Sequence, residues 1–217
     1  MFTSFSWIHV EVLLVGLWWT VVLSLISFVF GGLLAFFVAL AGISKSAGLR
    51  AAASTYIALV QGSPVLILMF LIYFGLPVFG IEVSSLFAAS VAMIVFSSAF
   101  LGAIWRGSLL SVSKTQWEAA DCLALTGWQR LFLVILPQAV KIATPPTVGF
   151  MVQIVKNTSL ASIIGMAEVT YIGKQINAST FQPFTTYLVI AIFYFAICYP
   201  LSALSRRFER IYSVSHH

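Results

Sequence analysis

Lys156 is the only charged residue between positions 142 and 167, and Asn157, Thr158 and Ser159 follow it directly. An ammonium group among so many apolar side chains costs roughly 2.5–3.5 kcal/mol inside a bilayer, so it is expected to face a bundle interior or an aqueous cavity. There it can serve as a gate or as a fixed charge beside the path of a polar solute, with the three polar side chains backing it. A lysine that snorkels along its stem, or pairs with carbonyls, is the purely structural alternative. Gln61, Gly62, Ser63 and Pro64 form a second candidate group. Pro64 removes a backbone donor and can break a helix, which is tolerated where neighbours or water satisfy the freed groups. A broken segment beside a solute path and an ordinary kink are both compatible with that run. A third group, Glu118, Ala119 and Ala120, sets one fixed charge beside two small side chains, a pattern suited to close approach to another protein surface. Catalytic chemistry has no comparable support. The chain has no Gly-x-x-x-x-Gly-Lys-Ser/Thr loop for nucleotide phosphates and no nucleophile–base constellation. Cys122 and Cys198 lie far apart, and His9, His216 and His217 complete no Cys/His cluster, so metal and redox chemistry are not indicated.

The elements that must position these residues follow from composition. The chain is 61% hydrophobic and 8% charged, with a mean hydropathy of +1.06, whereas a soluble domain carries roughly 25% charged residues. Lipid must therefore be the solvent for much of its surface. Charged residues divide the sequence into five long apolar runs, giving expected spans at about 12–44, 51–77, 84–105, 142–167 and 178–205. Each suits a helix, which satisfies its backbone groups within one segment; a β-barrel would show alternating runs of about ten residues. The expectation is an all-α membrane protein, one transmembrane domain over residues 1–217. The aromatic run Phe70 to Phe74 reads as packing and lipid contact rather than a ligand cage.

Orientation follows from the basic residues. Lys45 and Arg50, then Arg106, Lys114, Arg130 and Lys141, then Arg206, Arg207 and Arg210 all fall on one side, against Lys174 alone on the other. By the positive-inside rule the N-terminus lies outside and the C-terminus inside. Glu11, Glu82 and Glu168 fall in outer segments. The same spacing explains the net charge of +5 without a nucleic-acid partner, since the basic residues form no dense stripe. No basic residue precedes the first apolar run and no small-residue cleavage site is evident, so that run reads as a retained span. Trp105 fits an anchor at the inner interface, and Trp18 and Trp19 fit packing within the first span.

The inner segment 106–141 is too long for a simple connector and should carry its own structure. Ser113 with Gln116, and Thr126 with Gln129, each form a capping-box pattern, so two short helices are expected. The first carries Trp117 to Ala120; the second carries Trp128, Leu131, Phe132 and Ile135 and ends near Pro137. Thr144 before Pro145 looks like the start of the fourth span. Two amphipathic helices lying on the membrane surface would be the plain reading.

The residues say more. Glu118-Ala119-Ala120, followed by Leu136-Pro137-Gln138-Ala139, resembles the cytoplasmic "EAA" loop of ABC importer permeases. Gln61-Gly62-Ser63-Pro64 with Leu71-Ile72-Tyr73-Phe74-Gly75-Leu76-Pro77 resembles the second-span signature of the polar amino acid permeases, the histidine, glutamine and arginine type. Arg106-Gly107, Lys156-Asn157-Thr158-Ser159-Leu160 and Phe208-Glu209-Arg210 resemble that subfamily in the same order. The resemblance implies that the loop is a coupling-helix pair docking into a separate ATP-binding subunit dimer, through Glu118, Ala119, Ala120, Ala124 and Gly127. It implies that Gln61 to Pro64 and Lys156 to Ser159 line the translocation path. It also implies an extracytoplasmic amino-acid-binding protein, a second permease subunit, a bacterial inner-membrane location, no cofactor on this chain and ATP–Mg on the partner.

The sequence departs from the family pattern at several points. Ala124 stands where the loop usually has glycine, with Gly127 three residues later, which suggests a turn shifted to Thr126-Gly127. Gln61, Leu68 and Ala103 stand where the subfamily often has arginine, glutamine and glutamate. These losses of polar capacity suggest a heterodimer whose other permease supplies more of the solute contacts. An importer of the same class for another small solute, such as an opine or a sulfur amino acid, is the nearest alternative. An ATP-independent channel and a membrane scaffold without transport activity are more distant ones.

Overall fold

Long apolar runs with few breakers fold into long helices, and the computed structural model, which describes residues 5–213, contains no strand among them. His216 and His217 lie outside the described residues. The helices are α1 (Trp7–Gly42), α2 (Ala47–Gln61), α3 (Val65–Val78), α4 (Ser85–Ser111) and α5 (Lys114–Cys122). They continue with α6 (Gly127–Ile164), α7 (Val169–Thr180) and α8 (Pro183–Ser213). Four of them (α1, α4, α6 and α8) are long and apolar enough to cross a membrane. The expected second span is not one rod: α2 and α3 meet at 92° across Gln61–Pro64, and only as a bent pair do they make a fifth.

Small residues bring the helices close. Gly31 of α1 leaves room for Ser97 of α4, and Gly16 lies against the backbone of Val169 in α7. Packing of this kind is what holds helices together in lipid, where apolar burial gives no net drive. The main core joins α1, α3, α4 and α6 around Leu23, Met69, Met93, Phe96, Phe150 and Ile154. Phe100 and Phe150 stack with centroids 5.3 Å apart. Hydroxyls and one indole tie the helices at defined heights. Tyr56 of α2 donates to the Val95 carbonyl of α4 at 3.1 Å, and Trp105 of α4 donates to Thr147 of α6 at 2.9 Å. The Trp105 indole is therefore turned toward α6. Trp18, by contrast, is 64% exposed, on the outer face of α1.

The segment after α4 differs from the two separate short helices expected. The second of them and the fourth span are one continuous helix of 38 residues, α6, despite Pro137, Pro145 and Pro146. Proline removes a donor and crowds the carbonyl four residues earlier. Ahead of Pro137 the chain takes up a π-helical turn, Arg130–Ile135, which widens the ladder where that carbonyl must be accommodated. At the proline pair, the Ser205 hydroxyl of α8 donates to the Pro145 carbonyl at 2.9 Å. The helix continues through Thr144–Pro145 instead of starting there.

The start of α6 follows the Thr126–Gln129 capping box, with the Gln129 amide donating to the Thr126 hydroxyl and the Thr126 amide donating to the Gln129 side chain. Ser113 occupies the N-cap of α5, but its side chain accepts no capping bond. The turn joining α5 to α6 has not moved to Gly127. Ala124 itself sits at φ 54°, in the left-handed region, and Gly127 is the first helical residue.

Two substitutions probe this geometry. In Gly16→Ala the new methyl group would meet the Val169 Cα at 2.8 Å, backbone that cannot swing aside. Its thermal stability in detergent is expected to fall by about 1–3 kcal/mol, the range for overpacking. Gly75→Ala, with nothing within 4 Å, should not fall. In Ala124→Gly the left-handed strain is relieved, and we expect the hairpin to gain about 1 kcal/mol, seen as amide exchange in α5 slowed roughly fivefold.

Candidate functional site

The hairpin of α5 and the start of α6 presents an apolar tip. Leu123 and Trp128 are largely exposed, and Trp128 stacks on Phe132 with centroids 5.3 Å apart. Glu118 and Ala119 project from α5 into the same exposed surroundings. Ala120 does not join them: it is 2% exposed and turned into the hairpin, so its small size serves packing between the two helices rather than approach to an outside surface. The hairpin base is a separate small core of Ala39, Leu109, Val112, Ile135 and Ala139, which seats it on α1, α4 and α6. An exposed tryptophan–phenylalanine pair on a firmly seated short hairpin is the kind of aromatic anchor that a partner protein's pocket covers.

The second group occupies the break between α2 and α3. The Gly62 amide ends α2 by donating to the Ala58 carbonyl at 2.9 Å, and the Ser63 hydroxyl donates to Leu59 O at 2.9 Å. Pro64 then caps α3 in extended backbone, φ −61° and ψ 135°. The Gly62 amide and the Ser63 hydroxyl thus each have a local acceptor, and Gln61 and Pro64 remain exposed. The segment is a right-angled break, well beyond an ordinary kink.

The third group ends the α-helical part of α6. Asn157 and Thr158 are buried, whereas Lys156 stands exposed on the surface of the chain. Of the two expected surroundings, a bundle interior or an aqueous cavity, the interior of this chain's own bundle is not where Lys156 sits. Nor is it backed as expected: Thr158 and Ser159 donate to the helix carbonyls of Val155 and Lys156, at 2.7 Å each. Gln153 donates to Asn157 at 3.0 Å. These bonds tighten the chain into the 3-10 turn Thr158–Ile164, which closes on Gly165 at φ 82°. Downstream of the break, Val65 and Met69 of α3 share the main core with Ile154, Ala161 and Ile164 of α6. The second and third groups are thus carried by elements packed together, while the hairpin stands on its own core.

One cluster escaped the sequence reading. Glu168, which the sequence places in an outer segment, is fully buried. It accepts from Tyr194 of α8 at 3.0 Å, from the Tyr171 amide of α7 at 2.9 Å and from Thr20 of α1 at 3.4 Å. Burial pushes its carboxyl above the ordinary carboxylate range, opposed by amide donors from Thr170 and Tyr171. Lys174 donates nearby to Ser162 at 2.9 Å. A usable signal was present, since Glu168 is the only acid between Asp121 and Glu209.

Residues 27–213 match the family model described as "Binding-protein-dependent transport system inner membrane component". The chain is 36% identical over 198 residues to the probable amino-acid ABC transporter permease protein YckA of Bacillus subtilis, covering 91% of this chain and 88% of that one. It is 36% identical over 196 residues to the L-cystine transport system permease protein TcyB of the same organism, covering 90% and 84%. Among solved structures, one titled as an amino acid ABC transporter with histidines superposes with a TM-score of 0.88 at 30% identity, covering 96% of this chain and 99% of that one. On this match over most of its length, the chain belongs to the family of binding-protein-dependent transport system inner membrane components.

Proposed function

We propose that this chain is the permease subunit of an ATP-driven importer, forming the translocation path for a polar amino acid, and that the α5–α6 hairpin is its contact with a separate ATPase. The observation that carries the reading is the exposed Trp128–Phe132 tip standing on a helix that runs without a break into the transmembrane core. Push or pull at such a tip reaches Phe150 and Ile154 through backbone hydrogen bonds rather than through a flexible loop. Basic residues clustered on the hairpin side support a cytoplasmic hairpin, with the N-terminus outside and the C-terminus inside. The setting is the bacterial inner membrane. ATP–Mg belongs to the partner dimer, and an extracytoplasmic binding protein delivers the solute.

A second permease subunit fits the surface chemistry. Gln61, Gln153 and Lys156 are exposed on this chain within or beside apolar helices, and lipid is a costly neighbour for all three. A partner permease or a water-lined path between the subunits would relieve that cost. The loss of polar capacity at Gln61, Leu68 and Ala103 favours a heterodimer over a homodimer. The solute class rests on the relatives, whose names point to amino acids generally and, in one case, to L-cystine. A sulfur amino acid is therefore the specific second reading.

The contact is tested by copurification. Trp128→Ala and Glu118→Arg should each weaken capture of the cognate ATPase subunit in mild detergent, by roughly tenfold or more for the aromatic anchor. Undiminished capture with both would place the contact elsewhere. For the path, Lys156→Met is expected to assemble normally yet lose most uptake of the transported amino acid. Full uptake would remove Lys156 from the mechanism.

A further inference from the structure

Arg130, on the first turns of α6, reaches back across the hairpin to α5. Its guanidinium donates to the Asp121 carboxylate, and its central carbon lies 5.5 Å from the centre of the Trp117 ring. Trp117 and Asp121 are four residues apart and so share one face of α5, the face on which Ala120 is also buried. The Arg130 side chain is 18% exposed and Asp121 57%, so the cation is shielded while its partner meets water. An ion pair between two solvated side chains would hold little. Here the ring and the buried arginine stem add contact that solvent does not undo. A second tie lies beyond the π turn, where Gln138 donates to Gln116 at 3.3 Å and to the Val134 carbonyl at 2.9 Å. Between the two ties, the covalent connection from α5 to α6 is only the turn through Ala124.

We propose that Arg130 is a positioning residue for energy coupling: by gripping Trp117 and Asp121 it fixes α5, and with it Glu118 and Ala119, at one angle to α6, so that hairpin and rod move as a single body. The inference rests on the coupling reading above. Without the grip, α5 is held only by the Gln138–Gln116 bridge and the packing of Ala120, so much of a displacement at Glu118 is absorbed at the turn instead of reaching the core. The ATPase would still dock, because the exposed faces of α5 and the Trp128–Phe132 tip are unchanged, but its motion would be spent.

The test uses the full complex of this chain with its cognate subunits in liposomes, with a radiolabelled mixture of amino acids including L-cystine as the probe. Arg130→Ala and Asp121→Ala should each leave copurification of the ATPase intact. Both should raise the ATP hydrolysed per solute imported at least about fivefold, the lower end of site-to-site coupling factors. Asp121 is mostly exposed, so its alanine variant does not threaten folding. The charge exchange Asp121→Arg with Arg130→Asp should recover part of the ratio. A defect of stability alone would lower the amount of complex and leave the ratio in the surviving complexes untouched. An unchanged ratio in both single variants, with the complex assembled, overturns the proposal. Failure of the unaltered chain to retain any ATPase sinks the coupling reading itself, and is told apart because it appears without a substitution.

Discussion

The structure depends on keeping α6 in one piece through three prolines. Each costs a backbone hydrogen bond, and in lipid an unsatisfied carbonyl has no water to turn to. The chain meets this in different ways along the helix. The π turn Arg130–Ile135 takes up the crowding before Pro137. Pro145 and Pro146 leave the carbonyls of Lys141 and Ile142 without their helical donors, and one turn further on the Ser205 hydroxyl from α8 adds a bond to the Pro145 carbonyl. Helix α8 is thereby tied to α6 at the proline pair.

At the other end of α6 a different constraint operates. The chain must turn sharply after Ile164 and send α7 across the bundle, and Glu168 organises that turn. A carboxylate buried among apolar helices is tolerable only if its acceptor sites are filled. Donors from α1, α7 and α8 fill them. Truncating Glu168 would leave Tyr194, Thr20 and the Tyr171 amide facing an unfilled space, whereas truncating any one donor would leave the others in place. The close approach of Gly16 to Val169 belongs to the same arrangement, since it lets Thr20 reach the acid.

Much of this was legible in the sequence, and the misses have physical causes. Uncharged runs located the long helices because a bilayer imposes length and apolarity on anything that crosses it. The Thr126–Gln129 box located the start of α6 to the residue. What periodicity cannot reveal is that α6 continues past Pro137 and Pro145, because the π turn that accommodates Pro137 and the packing of α6 against α4 and α8 are not local sequence signals. Proline rules read locally predict a stop; tertiary partners cancelled it. The cost of a charge in lipid singles out Lys156, but which of its two expected surroundings it meets depends on groups beyond this chain, whose own fold leaves it exposed. Glu168 was missed because an acid near a loop reads as solvated unless the depth of the loop is known. Ala124 was misjudged for a related reason. Local cost argued for moving the turn to Gly127, yet the Thr126 cap already commits Gly127 to the helix, so the strain stays where it is.

These features divide the molecule into stiff and yielding parts. The hairpin, its small core and the long α6 rod are stiff: the clamp at Arg130, the amide bridge from Gln138 and the unbroken backbone leave little room for internal movement. The right-angled break at Gln61–Pro64 is different, since the Gly62 amide and the Ser63 hydroxyl bond within their own turn and the exposed Gln61 is not pinned by a distant element. In the proposed reading, displacement enters at the stiff end and must be taken up somewhere without breaking backbone hydrogen bonds in lipid. A segment whose helices already end in locally satisfied caps can change its angle at small cost, whereas bending α6 would expose carbonyls that have no second partner. The α2–α3 junction is therefore the natural place for the bundle to give, and it adjoins the core into which α6 delivers the motion.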